Sequence, residues 1–558
     1  MIQIISFALE IFFKYSLLYF FLFTSGRSFV LLIELIYFKN KKTPDYLLKI
    51  KSGFLFPIIG IIVVGNLLIL LNYFLPLRSF IVYLILFLFN LGNFIDIKKI
   101  NLSSYLNLNS FICYVFFPAI LLISTSDINF HYDAGYYHLN HQNWLRESNM
   151  VIGMVNIFWA FGMSSIYEYI SAILWIGNSF IFLHFLSLIF IHFFYLFIFY
   201  NIINSQNQRL RNASMFLLLF SIFDNFGLGG GRNGFLYIQG IGKQDIAVAV
   251  LFIFVSLITV SYLIENDING RDFISLSIIT FFIYQLKISN VFIYIIFLIL
   301  VITLINQKVY KFNTILYYLL PNFLFAIIWF VKSYMTTGCI IFPVNFLCIN
   351  NFAWYLPDST KDYETISTDA SFSYIEYLLS SNLNFIDWFN DFFNSLIYSG
   401  FSEYYRSFYI NFLVSLALIF VVKRFITESK SLTLITNFYI TIFLFLNLSY
   451  LILFGPIPRY LTGLFCVAIG VFGFYSGELK YKINKNTLIL TIMLSIFLVP
   501  RANSYIGFLE SAEIALFDPT EITELYNEVE IFTNWVRPDK GDRCYVNLKC
   551  TMHTEEIF

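Results

Sequence analysis

Charge is what this chain has least of. Only 12% of its 558 residues are Asp, Glu, Lys or Arg, and 34 basic side chains balance 34 acidic ones. Soluble domains carry roughly 25% charged residues, so this chain lacks the means to cover a folded surface with hydrated groups. A formal net charge of zero also leaves no sequence-wide basic field to attract nucleic acid. Cysteine is scarce too, with six in the chain, which excludes a disulfide-built scaffold. A G-x-x-x-x-G-K-[ST] phosphate loop is missing. The glycine cluster Gly227–Gly234 (GLGGGRNG) has neither the lysine nor the strand–loop–helix setting of one, and reads as a flexible turn.

What is present is apolar and aromatic. Hydrophobic residues make up 59% of the chain, including 70 Phe and 39 Tyr, and mean hydropathy is +0.75. This predicts an all-α polytopic membrane protein with about 13–14 transmembrane helices. The first stretch carries Glu10 and Lys14 but no basic leader or small-residue cleavage site, so it reads as a retained span. Further spans fit near 54–75, 79–94, 104–123, 178–203, 212–223, 244–264, 272–286, 290–305, 313–333, 409–422, 432–454, 459–476 and 486–500. The chain then divides into N-terminal spans over 1–124, a polar loop with an interfacial helix over 125–177, and central spans over 178–334. A large loop over 335–408, C-terminal spans over 409–500 and a tail over 501–558 complete it.

The loops between spans are of two alternating kinds. One kind is short and basic: Lys39–Lys51, Ile95–Lys99, Gln206–Arg211, Glu265–Asp272, Gln307–Lys311, Lys423–Lys430 and Lys480–Lys485. By the positive-inside tendency these face the cytoplasm. The other kind is mixed in charge and aromatic: Pro76–Ser79, Asp127–Ser165, Asp224–Gln244, Met335–Phe408, Gly455–Arg459 and the tail from Arg501. These then face outward, which is extracytoplasmic. The cytoplasmic loops are too short to fold an ATPase or a nucleotide-sugar-binding domain. The work of the chain is therefore expected on the outer face or within the membrane.

Asp127–Ser165 gathers Asp127, Asp133, His131, His138, His141, Tyr132, Tyr136, Tyr137, Arg146 and Glu147. Ionisable groups collected between spans are a functional hypothesis by default. After this loop, Met150–Trp175 mixes Asn156, Gly162, Ser164, Ser165 and Glu168 with bulky aromatics, which fits a helix lying in the outer interface.

The motif YDAGYYHL (Tyr132–Leu139) resembles the first outer loop of GT-C membrane glycosyltransferases. The stretch WFVKSYMTTGCIIFPVNF (Trp329–Phe346) resembles a span-exit pattern of bacterial members, and Pro458-Arg459-Tyr460 the P-R-[YF] that begins a late span. With Gly153-Met-Val-Asn156, Phe161-Gly-Met-Ser-Ser165, Lys287-Ile-Ser289 and the GDRCYVNLKCT tail, the order is similar to an uncharacterised bacterial branch of that superfamily. The resemblance runs from Asp127 to the tail. It implies transfer of a sugar from a polyprenyl-phosphate donor to a lipid or glycan acceptor on the outer face of the bacterial inner membrane, in cell-surface glycan or glycolipid synthesis.

Such a transfer needs a base, because the acceptor hydroxyl must lose its proton as it attacks the anomeric carbon. Asp133 is the first candidate and Asp127 the second. The leaving polyprenyl phosphate needs a cation near lipid, and Arg459, Arg232, Lys243 and Lys332 are available. Arg459 is favoured because Pro456 and Pro458 fix the backbone leading to it, with Tyr460 beside it. Tyr136, Tyr137, His138 and His141 suit a sugar's apolar face and hydroxyls. Asp245 offers a further acceptor or a helix cap, and Lys287 is the clearest ionisable residue inside a span. The reading calls for no cofactor; the histidines with Asp127 and Asp133 could ligate a divalent cation, although no tight ligand spacing is present.

Cys113 and Cys466 lie within expected spans as plain apolar residues. Cys339/Cys348 and Cys544/Cys550 are outer-face pairs that an oxidising compartment would allow to close, the tail pair being the stronger case. Two other readings stay open: a polyprenyl-linked glycan polymerase or ligase, and a lipid-linked sugar transporter or flippase. Paired internal repeats, usual in transporters, are not visible.

Overall fold

A backbone in hydrocarbon must satisfy its own hydrogen bonds, and for uninterrupted apolar runs that dictates helix. The computed structural model describes residues 2–40, 42–95, 107–130, 132–176, 180–226, 240–242, 244–265, 267–349, 354–355, 357, 360, 385–398, 402–424, 426–428, 432–454, 458–479, 484–510, 528–532, 535–538 and 543–550. These are helical almost throughout. In order they form α1 (Ile2–Phe38), α2 (Ser52–Asn72), α3 (Phe80–Leu91) and α4 (Leu108–Asp127), then two short helices, α5 (Leu139–Glu147) and α6 (Ile166–Ala172). Next come α7 (Ile181–Ile203), α8 (Gln208–Phe226), α9 (Asp245–Glu265), α10 (Gly270–Leu286), α11 (Ile293–Asn306) and α12 (Phe312–Thr337). The rest are α13 (Phe385–Tyr398), α14 (Ser402–Lys423), α15 (Leu434–Phe454), α16 (Pro458–Phe474), α17 (Lys485–Phe497) and α18 (Ala502–Glu510).

Among the described residues seven helices are long and apolar enough to cross a membrane, or eight if the bent pair α17 and α18 is one span. Phe80–Leu91, Ser407–Lys423, Leu434–Tyr450 and Thr462–Phe474 are apolar but shorter. The helix-rich membrane fold is as expected, with fewer full-length spans. The boundary at Lys287 has a local cause. Lys287 leaves α10 in extended conformation and a 3-10 turn at Ile288–Asn290 follows, so α10 and α11 are separate helices.

Packing follows membrane rules, in which close backbone approach replaces hydrophobic driving force. Helices α1 and α2 cross where a Cβ on Gly26 would lie 1.9 Å from the Phe56 carbonyl oxygen, and one on Gly60 1.9 Å from that of Leu22. Helices α7 and α9 are buried along their whole apolar windows and form the centre of the bundle.

The loops collect at opposite ends of these helices. At one end Lys49 Nζ reaches Glu265 Oε2 at 2.5 Å, the Leu48 N–H donates to Asp272 Oδ1 at 2.7 Å, and Tyr310 OH donates to the Ile268 carbonyl at 2.8 Å. Asn207 Nδ2 also donates to Glu265, at 2.5 Å. At the other end, reached along α2, α9 and α12, the Leu77 N–H donates to the Leu145 carbonyl at 3.0 Å and the Gly153 N–H to that of Met335 at 2.9 Å. The basic loops thus touch one another, and so do the aromatic loops.

Strands are few and minute. One pair matters here: β3 (Asn129–Phe130) runs parallel to β4 (Gly240–Ile241), register Asn129 to Gly240, after the hairpin β1 (Tyr46–Leu47) and β2 (Ile50–Lys51). Two more antiparallel pairs join β5 (Ile426–Glu428) to β6 (Ser476–Leu479), and β7 (Glu528–Phe532) to β8 (Trp535–Pro538).

The expected interfacial helix over Met150–Trp175 is not there as one helix. Two 3-10 turns, Met154–Asn156 and Trp159–Met163, precede the seven-residue α6. The reason is local. Gly153 sits at φ +68 against the Trp354 side chain, and Gly162 lies beneath the Phe342 ring, positions a continuous helix does not offer. The segment packs against Cys339, Phe342, Trp354 and Tyr355.

Candidate functional site

The acidic loop begins where α4 ends. Pairing of β3 with β4 draws the segment ahead of α9 alongside it, and Gly242, at φ +87, fits against Ala134 and the His138 ring. Its missing side chain permits the contact: a Cβ there would lie 3.1 Å from His138 Cδ2. Asp133 therefore stands near Asp245, the first residue of α9, although the two are far apart in sequence. Asp245 Oδ1 accepts from Lys287 Nζ at 2.7 Å. The two form a partly buried ion pair, joining the first residue of α9 to the ionisable residue expected inside a span.

Asp133 caps a single π-helical turn, Ala134–His138, that runs into α5. It is half-buried, while His138 and His141, five and eight residues on, turn inward and are buried. His138 Nδ1 meets Glu168 Oε1 of α6, and Gln142 Nε2 donates to Glu168 Oε2 at 2.7 Å. Trp175 Nε1 donates in turn to Gln142 Oε1 at 2.8 Å. Both carboxylate oxygens of Glu168, a side chain only 2% exposed, are thus engaged. Burial opposes the charged form of His138, but Glu168, followed by Asp133 and Asp245, outweighs it and raises the imidazole above its ordinary 6.5. His138 Nε2 is left for other work.

His141 behaves oppositely. Burial pushes its pKa well below the ordinary range, and the charges of Lys332 and His138 push the same way. Its ring stacks on Phe161 with centroids 5.2 Å apart. Lys332 is not a surface cation. It lies in α12, buried, bonded to Ser164 Oγ and, at 3.3 Å, to the Ser164 carbonyl, with Nζ 4.5 Å from the Trp329 ring centroid. The Tyr169 hydroxyl nearby is buried and without a partner among the described residues.

Tyr136 packs edge-on against Phe158 at 5.0 Å, and Tyr137 lies over His138 with centroids 4.1 Å apart. Burial raises the Tyr136 phenol above its usual range. Both rings belong to a small apolar cluster with Met154, Ile157, Phe158 and Phe161, which holds the loop. Asp127, the second candidate base, is held elsewhere: Ser504 of α18 donates to its Oδ2 at 3.5 Å. Arg459 and Tyr460 stand in the first turn of α16, their side chains outside the described residues. His131, Arg232, Lys243 and the Gly227–Gly234 cluster lie outside them as well. No group of three His, Cys, Asp or Glu able to hold a metal occurs among the described residues.

Residues 9–466 match the family described as domain of unknown function DUF8201. The chain belongs to that family. No curated protein and no solved structure matches it. In this DUF8201 member the matched stretch contains every site residue above. Sequence reasoning gave no site role to Glu168, Gln142, Ser164 or Tyr169. A lone carboxylate in IYEYISAILW was the available signal, since a charge inside an apolar run is rarely idle.

The structure closes Cys339 to Cys348 within the matched stretch and Cys544 to Cys550 beyond it, leaving Cys113 and Cys466 buried and free. The tail loop lies on the acidic loop. The Tyr545 N–H donates to the Gly135 carbonyl at 2.9 Å, Asn143 Nδ2 to the Val546 carbonyl at 2.8 Å, and Asn140 Nδ2 to that of Asn547. Tyr545 has φ +45, a left-handed conformation that costs a side-chain-bearing residue on the order of 1 kcal/mol and persists only when its surroundings fix it.

Proposed function

We propose that this chain is a GT-C-type glycosyltransferase, moving a sugar from a polyprenyl-phosphate donor to an acceptor hydroxyl on the outer face of the bacterial inner membrane. One observation carries the reading: Asp133, the His138–Glu168 pair and the Asp245–Lys287 pair converge from distant stretches on one end of the bundle. Asp133 accepts the proton of the attacking hydroxyl. The carboxylates of Glu168, Asp133 and Asp245 together raise the pKa of His138 against its burial. Tyr136 and Tyr137 flank the sugar, and Arg459, in the first turn of α16, takes the donor phosphate. The gathering of basic loops at the opposite end supports placing this end outside.

The test is substitution with a surface-glycan complementation assay and direct transfer measurement. Asp133→Asn keeps shape while removing the base, and is expected to lower turnover by about 10²-fold or more with folding intact. Asp127→Asn serves as control; its inactivation with Asp133→Asn unaffected would move the base. If neither matters while the gene is still needed for the glycan, movement of a lipid-linked sugar replaces transfer.

A further inference from the structure

We infer that the disulfide-closed loop Cys544–Cys550 is a clasp that sets the geometry of the acidic loop, with Tyr545 as its positioning residue, and that thiol–disulfide exchange at this bridge releases the site. Four contacts from this loop and its flank land on the twelve-residue stretch that also holds Asp133, His138 and His141. Besides the three hydrogen bonds to Gly135, Asn140 and Asn143, the Arg543 guanidinium lies 4.7 Å from the Tyr132 ring centroid. Gly135 is the seat: a Cβ there would fall 2.7 Å from Tyr545 Cε1 and 3.1 Å from Arg543 Cδ.

The contact is made of backbone groups held in one conformation. Val546 and Asn547 present carbonyls, and Tyr545 presents its N–H from a left-handed turn. A short loop keeps such a conformation when both ends are fixed, and here they are joined sulfur to sulfur, with Lys549 further tied through its carbonyl to the Val536 N–H at 2.9 Å. Cys544, Tyr545, Val546 and Cys550 are all buried. Opening the bridge frees Tyr545 to leave the left-handed region, and the N–H and ring then leave Gly135 together. In the exchange a thiolate of a dithiol attacks one bridge sulfur, the other leaves as a thiolate and takes a proton, and the second thiol of the reagent resolves the mixed disulfide. Two electrons and two protons pass from the dithiol to the bridge.

The test uses full-length protein in detergent and hydrogen–deuterium exchange, whose outcome is independent of the transferase reading. In Cys544→Ser/Cys550→Ser, and in wild type treated with dithiothreitol, exchange of amides 134–147 is expected to rise about tenfold or more, with the centre of α9 unchanged. Tyr545→Ala, with the bridge intact, is expected to give the same local rise, and Tyr545→Phe to restore the oxidised rate. It thus stands in if the serine pair fails to fold. Unchanged exchange at 134–147 in Tyr545→Ala and in the reduced protein overturns the clasp. Sugar-transfer turnover measured in parallel rests on the transferase reading and should fall with the clasp open. Loosened amides in a protein that transfers no sugar even when oxidised would uphold the clasp and sink the transferase.

Discussion

The two ends of the bundle handle charge in opposite ways. At the basic-loop end, ion pairs have at least one partly exposed member: Lys49 and Glu265 are 16% and 43% exposed, and Arg271, at 37%, reaches the buried Glu34. Even the buried Asp272 is occupied by the Leu48 N–H, Tyr262 OH and Asn269 Nδ2. At the acidic-loop end the central pair lies inside, His138 and Glu168 at 5% and 2%, and among the described residues the Tyr169 hydroxyl and Trp144 Nε1 have hydrogen-bonding capacity unfilled. Filled pairs at a surface fasten loops. Unfilled groups around a buried ion pair cost stability, and such an arrangement persists where something else binds or reacts.

The sharpest way to break this contrast is to remove one acid from each end. Glu168→Ala leaves His138 and Gln142 facing an empty buried site, with an expected loss of about 3 kcal/mol or more. Equal losses in Glu168→Ala and Glu265→Ala, by denaturant unfolding in detergent, would erase the distinction. An intermediate effect is expected from pH. Because His141 is neutral when folded but protonates when unfolded, its contribution falls as pH drops below the ordinary value near 6.5, by on the order of 1 to 2 kcal/mol at pH 5. His141→Phe should therefore flatten the acid side of the stability profile. His138 works the other way: its raised pKa gives stability fully present below the ordinary value and lost as pH rises through the folded one, so His138→Asn should hurt most at low pH. Crossed results, with His141→Phe steepening the acid limb, would refute the assignment. The smallest effect belongs to the surface: Glu265→Ala is expected to cost under about 1 kcal/mol, shrinking with added salt.

Much of the fold was legible in the sequence because lipid makes a strong demand on every apolar run. The polar loop at Asp127–Ser165 stood out for the same reason, and His138 and His141 were named there. What joins them was not legible. Their spacing fitted a shared role on sugar hydroxyls, yet one ring meets Glu168 and the other stacks on Phe161, a split decided by how α6 folds back. Asp245 and Lys287 each looked like an isolated charge, and only the packing of α9 beside α10 makes them a pair. The interfacial helix was expected from composition, whereas Gly153 and Gly162 take part in tertiary contacts that composition does not record.

The clasp also sets a clock. Asn140 and the Asn547 carbonyl it reaches are 407 residues apart, so at synthesis rates of roughly 5 to 20 residues per second the acidic loop waits about 20 to 80 seconds for its last partner. Until then α5 and the π turn lack the contacts that the tail loop supplies.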